Sequence, residues 1–211
     1  MNIKEWMVKN LRKNAVIVEA GTADGSDTVS FSQQFIEGKI YGFEPIPNLY
    51  YDTMNKVHKL NNVTITNAAL SEKTGKCKIY VSDRFDSDWC SSSLLKPKDH
   101  LSIHPEITFK KQIEVDTINL DDWLLTINET IIDLLWLDMQ GYEPIVLKSS
   151  PNTLKKTRYI YTEVSLIETY DGVMLYPEYK QLLIDNGFEV VTEDLPWKDM
   201  GNVLFKNTKL V

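Results

Sequence analysis

Residues 15–19, Ala-Val-Ile-Val-Glu, are apolar until the last position. That is the pattern of a strand buried on both faces, not of one that alternates. Residues 131–137, Ile-Ile-Asp-Leu-Leu-Trp-Leu, read as another main strand. Shorter strand-like runs lie at 39–43, 63–66 and 158–162. Helical patterns fall between them, near 27–35, 48–60, 143–149 and 177–186, with a further segment placing Leu120, Trp123, Leu124 and Ile127 on one face. Strands alternating with helices predict an α/β fold: a mainly parallel sheet with helices on both faces. Gly187 follows the last helix as its stop residue, and runs at 188–192 and 202–206 predict a closing antiparallel pair.

Two more runs, 76–81 and 113–117, are expected to form extra strands. The stretch 82–109 between them is rich in Ser, Asp, Lys, His and Pro and shows no period. A loop of that length inside a compact domain usually carries function. A chain of 211 residues builds one well-buried core and is short for two. A single domain over 1–211 is therefore expected, with an irregular insertion at about 82–112.

Composition narrows the function classes. The net charge is −7, and the small lysine clusters sit beside acids, which disfavours a phosphate-tracking, nucleic-acid partner. No apolar run reaches the ~20 residues of a membrane span. The N-terminus lacks an apolar signal core, and Cys77 and Cys90 are the only cysteines. A cytoplasmic protein with no disulfide framework is the expectation.

In open α/β sheets, ligands sit beyond the carboxyl ends of the strands, where strand order reverses. Four strand ends here carry chemistry. After the first comes Glu19-Ala-Gly-Thr-Ala-Asp-Gly25. Gly21 and Gly25 let the backbone approach a ligand, with Glu19, Thr22 and Asp24 as the polar groups of the same turn. After the second strand comes Glu44, an acid placed to accept from both hydroxyls of a ribose. After the third come Asn67 and Ala68, an amide and a small surface suited to an adenine. A dinucleotide would want G-x-G-x-x-G, and Asp24 and Asp27 would repel a diphosphate. The acid-rich turn suits a cationic sulfonium better, which favours S-adenosylmethionine over NAD.

The fourth strand ends in Leu137-Asp-Met-Gln-Gly-Tyr-Glu143, at the side where a methyl acceptor would lie. Asp138 is the candidate general base for an acceptor hydroxyl, with His100 and His104 as alternatives. A divalent metal held by Asp138 and other carboxylates is another route to an activated hydroxyl. Gln140, Glu143 and Glu163 are candidate acceptor contacts. Trp89, Ser92 and Ser93 offer an apolar plate and hydroxyls suited to a sugar, on an insertion expected to form the acceptor wall.

Together these motifs resemble the FkbM-type S-adenosylmethionine-dependent methyltransferases. The resemblance rests on residues 18–25, Gly42-Phe-Glu-Pro45, Asn67-Ala-Ala-Leu-Ser71, Ser92-Ser-Leu94, the 137–143 motif, Glu163-Val164 and Asn202-Val-Leu-Phe205. It implies a Rossmann-like, class I methyltransferase sheet of seven strands and O-methylation of hydroxyls, often on sugars, glycans or related metabolites. It also implies donor-binding positions at Glu19, Gly21, Glu44 and Asn67, and an acceptor-facing Asp138. Two departures stand out: Glu19 where Asp is usual, and Trp136 where a Lys is usual. N-methylation of a protein or small molecule, and a non-catalytic donor-binding module, remain the competing readings.

Overall fold

The computed structural model describes residues 1–85, 87–88 and 90–211. In chain order the elements are α1 (Ile3–Asn10), β1 (Val16–Ala20), α2 (Ser26–Gln34), β2 (Lys39–Phe43), α3 (Pro47–Val57) and β3 (Val63–Thr66). Then follow β4 (Ala69–Leu70), β5 (Gly75–Arg84), β6 (Ser87–Asp88), α4 (His100–Ile103), β7 (Thr108–Ile118) and α5 (Leu120–Leu124). The last part holds β8 (Ile132–Leu137), α6 (Glu143–Lys148), α7 (Pro151–Lys155), β9 (Thr157–Ser165), α8 (Tyr176–Asp185), β10 (Phe188–Asp194) and β11 (Met200–Asn207).

The main sheet has seven strands in the order β10-β11-β9-β8-β1-β2-β3. The pairs β1–β2, β2–β3, β1–β8 and β8–β9 are parallel, while β11 runs antiparallel between β9 and β10. Order reverses at β1, whose neighbours β2 and β8 lead away to opposite edges. Register then aligns the strand tips: Ala20 lies opposite both Phe43 and Leu137, and Leu137 opposite Thr162. The loops after β1, β2 and β8 thus converge where this architecture places its ligands.

Successive strand residues face opposite sides, and both sides are apolar. On one, Val18, Ala20, Leu135, Leu137 and Ile160 pack against Trp123, Val146, Leu147, Tyr179 and Leu183. On the other, Ile17, Leu134, Tyr159 and Leu204 pack against Met7, Phe31 and Phe35. The charge inside the β8 run, Asp133, is buried but satisfied: Arg12 Nε and Nη2 donate to it at 2.9 and 2.7 Å, and Val16 N at 2.9 Å.

The expected α/β sheet, its helices on both faces and its antiparallel closing strands are present. The stretch 82–112 is less irregular than expected, because its first and last residues belong to β5 and β7. These two strands pair antiparallel, with Ile79 opposite Ile113, in a second sheet of order β4-β7-β5-β6. Ile79, Val81 and Val115 turn inward onto Ile46 and Ala69. The helix expected over 48–60 starts one residue earlier, at Pro47, and ends at Val57. Three helices carried no expectation: α4, one turn inside the stretch read as irregular, and α1 and α7. α1 is capped by the Asn2 side chain, which accepts from Lys4 N and Glu5 N, and it buries only Met7. α7 is one short turn opened by Pro151, whose fixed φ suits a first helical position. Among the described residues no helix is long and apolar enough to cross a membrane.

Candidate active site

The chain turns sharply as it leaves β1. Gly21 has φ +85°, and Gly21 N and Thr22 N both donate to Phe43 O, at 2.9 and 3.2 Å. A Cβ at Gly21 would stand 2.0 Å from the carbonyl oxygen of Asp138. Glycine is therefore required on two counts, conformation and contact. Asp138 N in turn donates to Ala20 O at 3.0 Å, so the tips of β1 and β8 close against each other.

Glu44, just past β2, is buried. Its Oε2 accepts from Ala23 N and its Oε1 from Ile46 N, each at 2.9 Å. Burial pushes its pKa up to about 7, against the pull of those two donors. Each carboxylate oxygen keeps a lone pair for a ligand hydroxyl. Asn67 Nδ2 donates to Glu44 O at 2.7 Å and to Pro45 O at 3.3 Å, pinning the loop that carries the acid.

A cleft with about 610 Å³ of empty space, part of it open to solvent, opens at these tips. Gly21, Glu44 and Asp138 supply polar wall, and Phe43, Ile46, Leu49, Ala68, Ala69, Leu70 and Ile79 supply apolar wall. Cys90, Ser92, Ser93, Met139 and Tyr142 complete the lining. An apolar slot next to an acceptor of hydroxyl protons fits an adenosine group.

On the β8 side stands a group of three acids. One carboxylate oxygen each from Asp138, Glu143 and Glu163 lies within 4.8 Å of the others. Asp138 is reachable by solvent through the cleft, yet protein surrounds it on its other sides. That enclosure raises its pKa, against a hydrogen bond from Gln140. Glu143 is buried in the first turn of α6, with Oε1 accepting from Met139 N at 2.5 Å. Burial first, then the neighbouring Asp138, pushes it up to about 8. Glu163 is raised well above the usual carboxylate range by burial, then by Asp138 and Glu143.

Gln140 sits within this group. Its Nε2 donates to Asp138 Oδ1 at 2.9 Å and faces Glu163 Oε1 and Oε2 at 3.4 and 3.3 Å. Three clustered acids can ligate a divalent cation, but here an amide nitrogen holds the place between two of them. The group as folded fits an N–H donor and not a metal.

The expected site residues separate into those at the cleft and those behind it. Gly21, Glu44, Ala68, Asp138, Ser92 and Ser93 line it. Glu19 stands behind: it is buried, receives Thr28 Oγ1 at 2.6 Å, and is pushed up to about 8 by burial. Thr22 is also buried, its hydroxyl 3.3 Å from that of Thr53. A Cβ on Gly25 would come within 2.9 Å of Thr53 as well. Asp24 points outward to Lys56 Nζ, 2.8 Å away, and that bond leads the effects lowering its pKa to about 2. Gln140, Glu143 and Glu163 surround Asp138 without lining the cleft.

The two histidines stand elsewhere. His100 is buried against His104, Phe109 and Tyr170. Its Nδ1 has no hydrogen-bond partner among the described residues, and burial pushes its pKa down to about 4. His104 Nε2 meets Asp199 Oδ2 at 3.0 Å. Neither ring lines the cleft. Trp89 lies outside the described residues. Tyr142, Cys90 and Ile79 line the cleft without having been expected there. Tyr142 stood inside the 137–143 motif and was legible in principle, whereas Ile79 carries only the signal of an ordinary strand residue.

A sheet with its last strand inserted antiparallel, a glycine turn after β1, and an acid after β2 define a class I S-adenosylmethionine-dependent methyltransferase. More narrowly, residues 19–190 match the methyltransferase FkbM domain, and the chain belongs to that family. It is 34% identical over 214 residues to the 2-O-methyltransferase NoeI of Sinorhizobium fredii, spanning 100% of this chain and 87% of that protein. The fold is similar to fibrillarin of Aeropyrum pernix with natively bound S-adenosyl-L-methionine, at TM-score 0.54 and 15% identity, over 91% of this chain and 66% of that one. It is also similar to a precorrin-6y C5,15-methyltransferase of Geobacter metallireducens, at TM-score 0.54 and 10% identity, over 98% and 88% of the two chains. The protein is an enzyme whose methyl donor is S-adenosylmethionine.

Proposed function

We propose that the enzyme methylates a hydroxyl oxygen of a sugar, glycan or related metabolite, with Asp138 as general base. The observation that carries this is the place of Asp138: a carboxylate open to the cleft, fixed by its backbone against the Gly21 turn. A group at the tip of β8 next to the donor turn can reach an acceptor held against the donor's methyl group. Its raised pKa makes it a stronger base than a solvated aspartate.

S-adenosylmethionine supplies an electrophilic methyl carbon on a sulfonium. The acceptor oxygen attacks that carbon in line: the C–O bond forms, the C–S bond breaks with its electron pair going to sulfur, and the hydroxyl proton passes to Asp138. Holding the oxygen in line supplies much of the rate, and a positioned base contributes about 10²–10⁴-fold. Glu44 accepts from the ribose hydroxyls, and the apolar slot at Ala68 and Ile79 takes the adenine. Ser92 and Ser93 bring hydroxyl groups to the acceptor wall. The 2-O-methyltransferase relative supports an oxygen acceptor, and the family resemblance supports a sugar.

The test is release of S-adenosylhomocysteine by the purified enzyme with panels of methyl glycosides and of primary amines. Turnover confined to the glycosides is expected. Turnover confined to the amines would replace this reading with N-methylation.

A further inference from the structure

Tyr170 lies in the segment between β9 and α8, fully buried and outside the cleft lining. Its hydroxyl is 3.0 Å from Gln140 Oε1 and 2.8 Å from Ser91 O. A glutamine amide has a donor end and an acceptor end. With the phenol's one proton shared between Ser91 O and Oε1, the Nε2 end faces the other way, toward Asp138 Oδ1 at 2.9 Å and both oxygens of Glu163. The reverse orientation would set a carbonyl oxygen against Asp138 Oδ1, 2.9 Å away, a repulsion that grows in a protein-enclosed site.

Resting on the reading of Asp138 as base, we propose that Tyr170 is a positioning residue that acts through Gln140. Its hydroxyl locks the amide, the locked amide engages Oδ1 of Asp138, and Oδ2 is left to take the acceptor's proton. Three further observations support the lock. Gln140 holds φ +55°, a left-handed backbone that a non-glycine residue keeps only where its surroundings enforce it. Ser93 Oγ donates to the Gln140 carbonyl at 2.9 Å, so the amide and its peptide are gripped from two segments. Tyr170 itself is braced: Asp171 N donates to Lys96 O at 2.8 Å, and Lys98 N and His100 N both donate to Thr169 O. Its ring rests against His100, with centroids 5.4 Å apart. The segment that carries Ser92 and Ser93 of the cleft wall is thereby tied, through Ser91 O, to the base by one phenol.

The test is solvent exchange of the Gln140 side-chain amide, followed by NMR in protein labelled with ¹⁵N-glutamine and saturated with S-adenosylmethionine. The signal is assigned by its loss in Gln140→Ala. In the wild type, slow exchange is expected. In Tyr170→Phe, which keeps the buried ring, exchange rises roughly tenfold, the equivalent of one lost hydrogen bond, while donor affinity by calorimetry stays within about twofold. Unchanged exchange in Tyr170→Phe overturns the proposal. Should that variant not fold, fast exchange of the Gln140 amide in the wild type overturns it alone. On any glycoside that is turned over, Tyr170→Phe lowers kcat without raising KM for the donor, and in a Gln140→Ala background it has no further effect. An additional loss there would assign Tyr170 a role independent of Gln140. Normal turnover of Asp138→Asn would instead remove Asp138 as base, an outcome that amide exchange separates from failure of the lock.

Discussion

Gly21 and Asp138 meet backbone to backbone: a methyl group added at 21 would stand 2.0 Å from the Asp138 carbonyl oxygen. This contact joins the donor turn to the acid proposed to take the acceptor's proton. Gly21→Ala must both hold φ near +85° and push the β8 tip away. A loss of roughly 2–5 kcal/mol in stability is expected, with donor affinity falling at least about tenfold. Denaturant melts and calorimetry measure the two effects. Wild-type values in both would show that the tips need not close.

Glu44 makes a second prediction about the donor. Glu44→Gln keeps the shape but sets an amide N–H₂ against either Ala23 N or Ile46 N, each of which now finds a carboxylate oxygen at 2.9 Å. One buried donor then faces another, at a cost of about 1–3 kcal/mol. Affinity for S-adenosylmethionine is expected to drop roughly tenfold or more, with NAD showing no saturable binding. Unaltered affinity would take Glu44 away from the ribose.

Stability should fall as the solution turns alkaline. Burial raises Glu19 and Glu143 to about 8 and Glu44 to about 7. A carboxyl that binds its proton more tightly in the folded chain stabilises fully below its unfolded pKa, and that stabilisation is lost as pH rises through its folded pKa. His100, lowered to about 4, works the opposite way, but its gain is complete by about pH 6.5. The donor-free protein should therefore lose stability from about pH 4.5, where the unfolded carboxyls titrate, to about pH 8, with the part above about pH 6.5, on the order of 1 kcal/mol per group, free of any offset from His100. Glu19→Gln should remove part of that slope. Thermal melts that are flat over this range would contradict the burial of these acids as charged-state penalties.

Much of this arrangement could be read from local pattern. The largely apolar runs of β1 and β8 announced buried strands, and Gly21, Glu44 and Asp138 fell at strand ends, where a parallel sheet presents its loops. What escaped depends on partners far away in sequence. β5 and β7 looked like separate short strands because Ile79 meets Ile113 only through a pairing across more than thirty residues. Asn67 and Glu19 carry the residue types of ligand contacts, yet one amide is drawn to Glu44 O and Pro45 O and one carboxylate to Thr28. Tyr170 had no local signal at all, since its meaning comes from Gln140 and Ser91.

Asp133 tests the fold apart from the site. Its side chain is 1% exposed and holds Arg12 and Val16 N, with Arg158 3.5 Å away. Arg12 is 44% exposed and stays solvated without its partner, but Val16 N loses a buried acceptor, which typically costs about 1–3 kcal/mol. Asp133→Ala should lower thermal stability by that order, leaving donor affinity intact in whatever fraction remains folded. A change under about 1 kcal/mol would mean that water reaches this pair.

The central claim is that Asp138 takes the proton from an acceptor hydroxyl. The measurement that tests it most directly is turnover of Asp138→Asn beside its calorimetric affinity for S-adenosylmethionine, on a glycoside that the wild type methylates. The account predicts kcat reduced by about 10²–10⁴-fold with donor affinity within roughly threefold of wild type. A variant that binds the donor and turns over at the wild-type rate would contradict it.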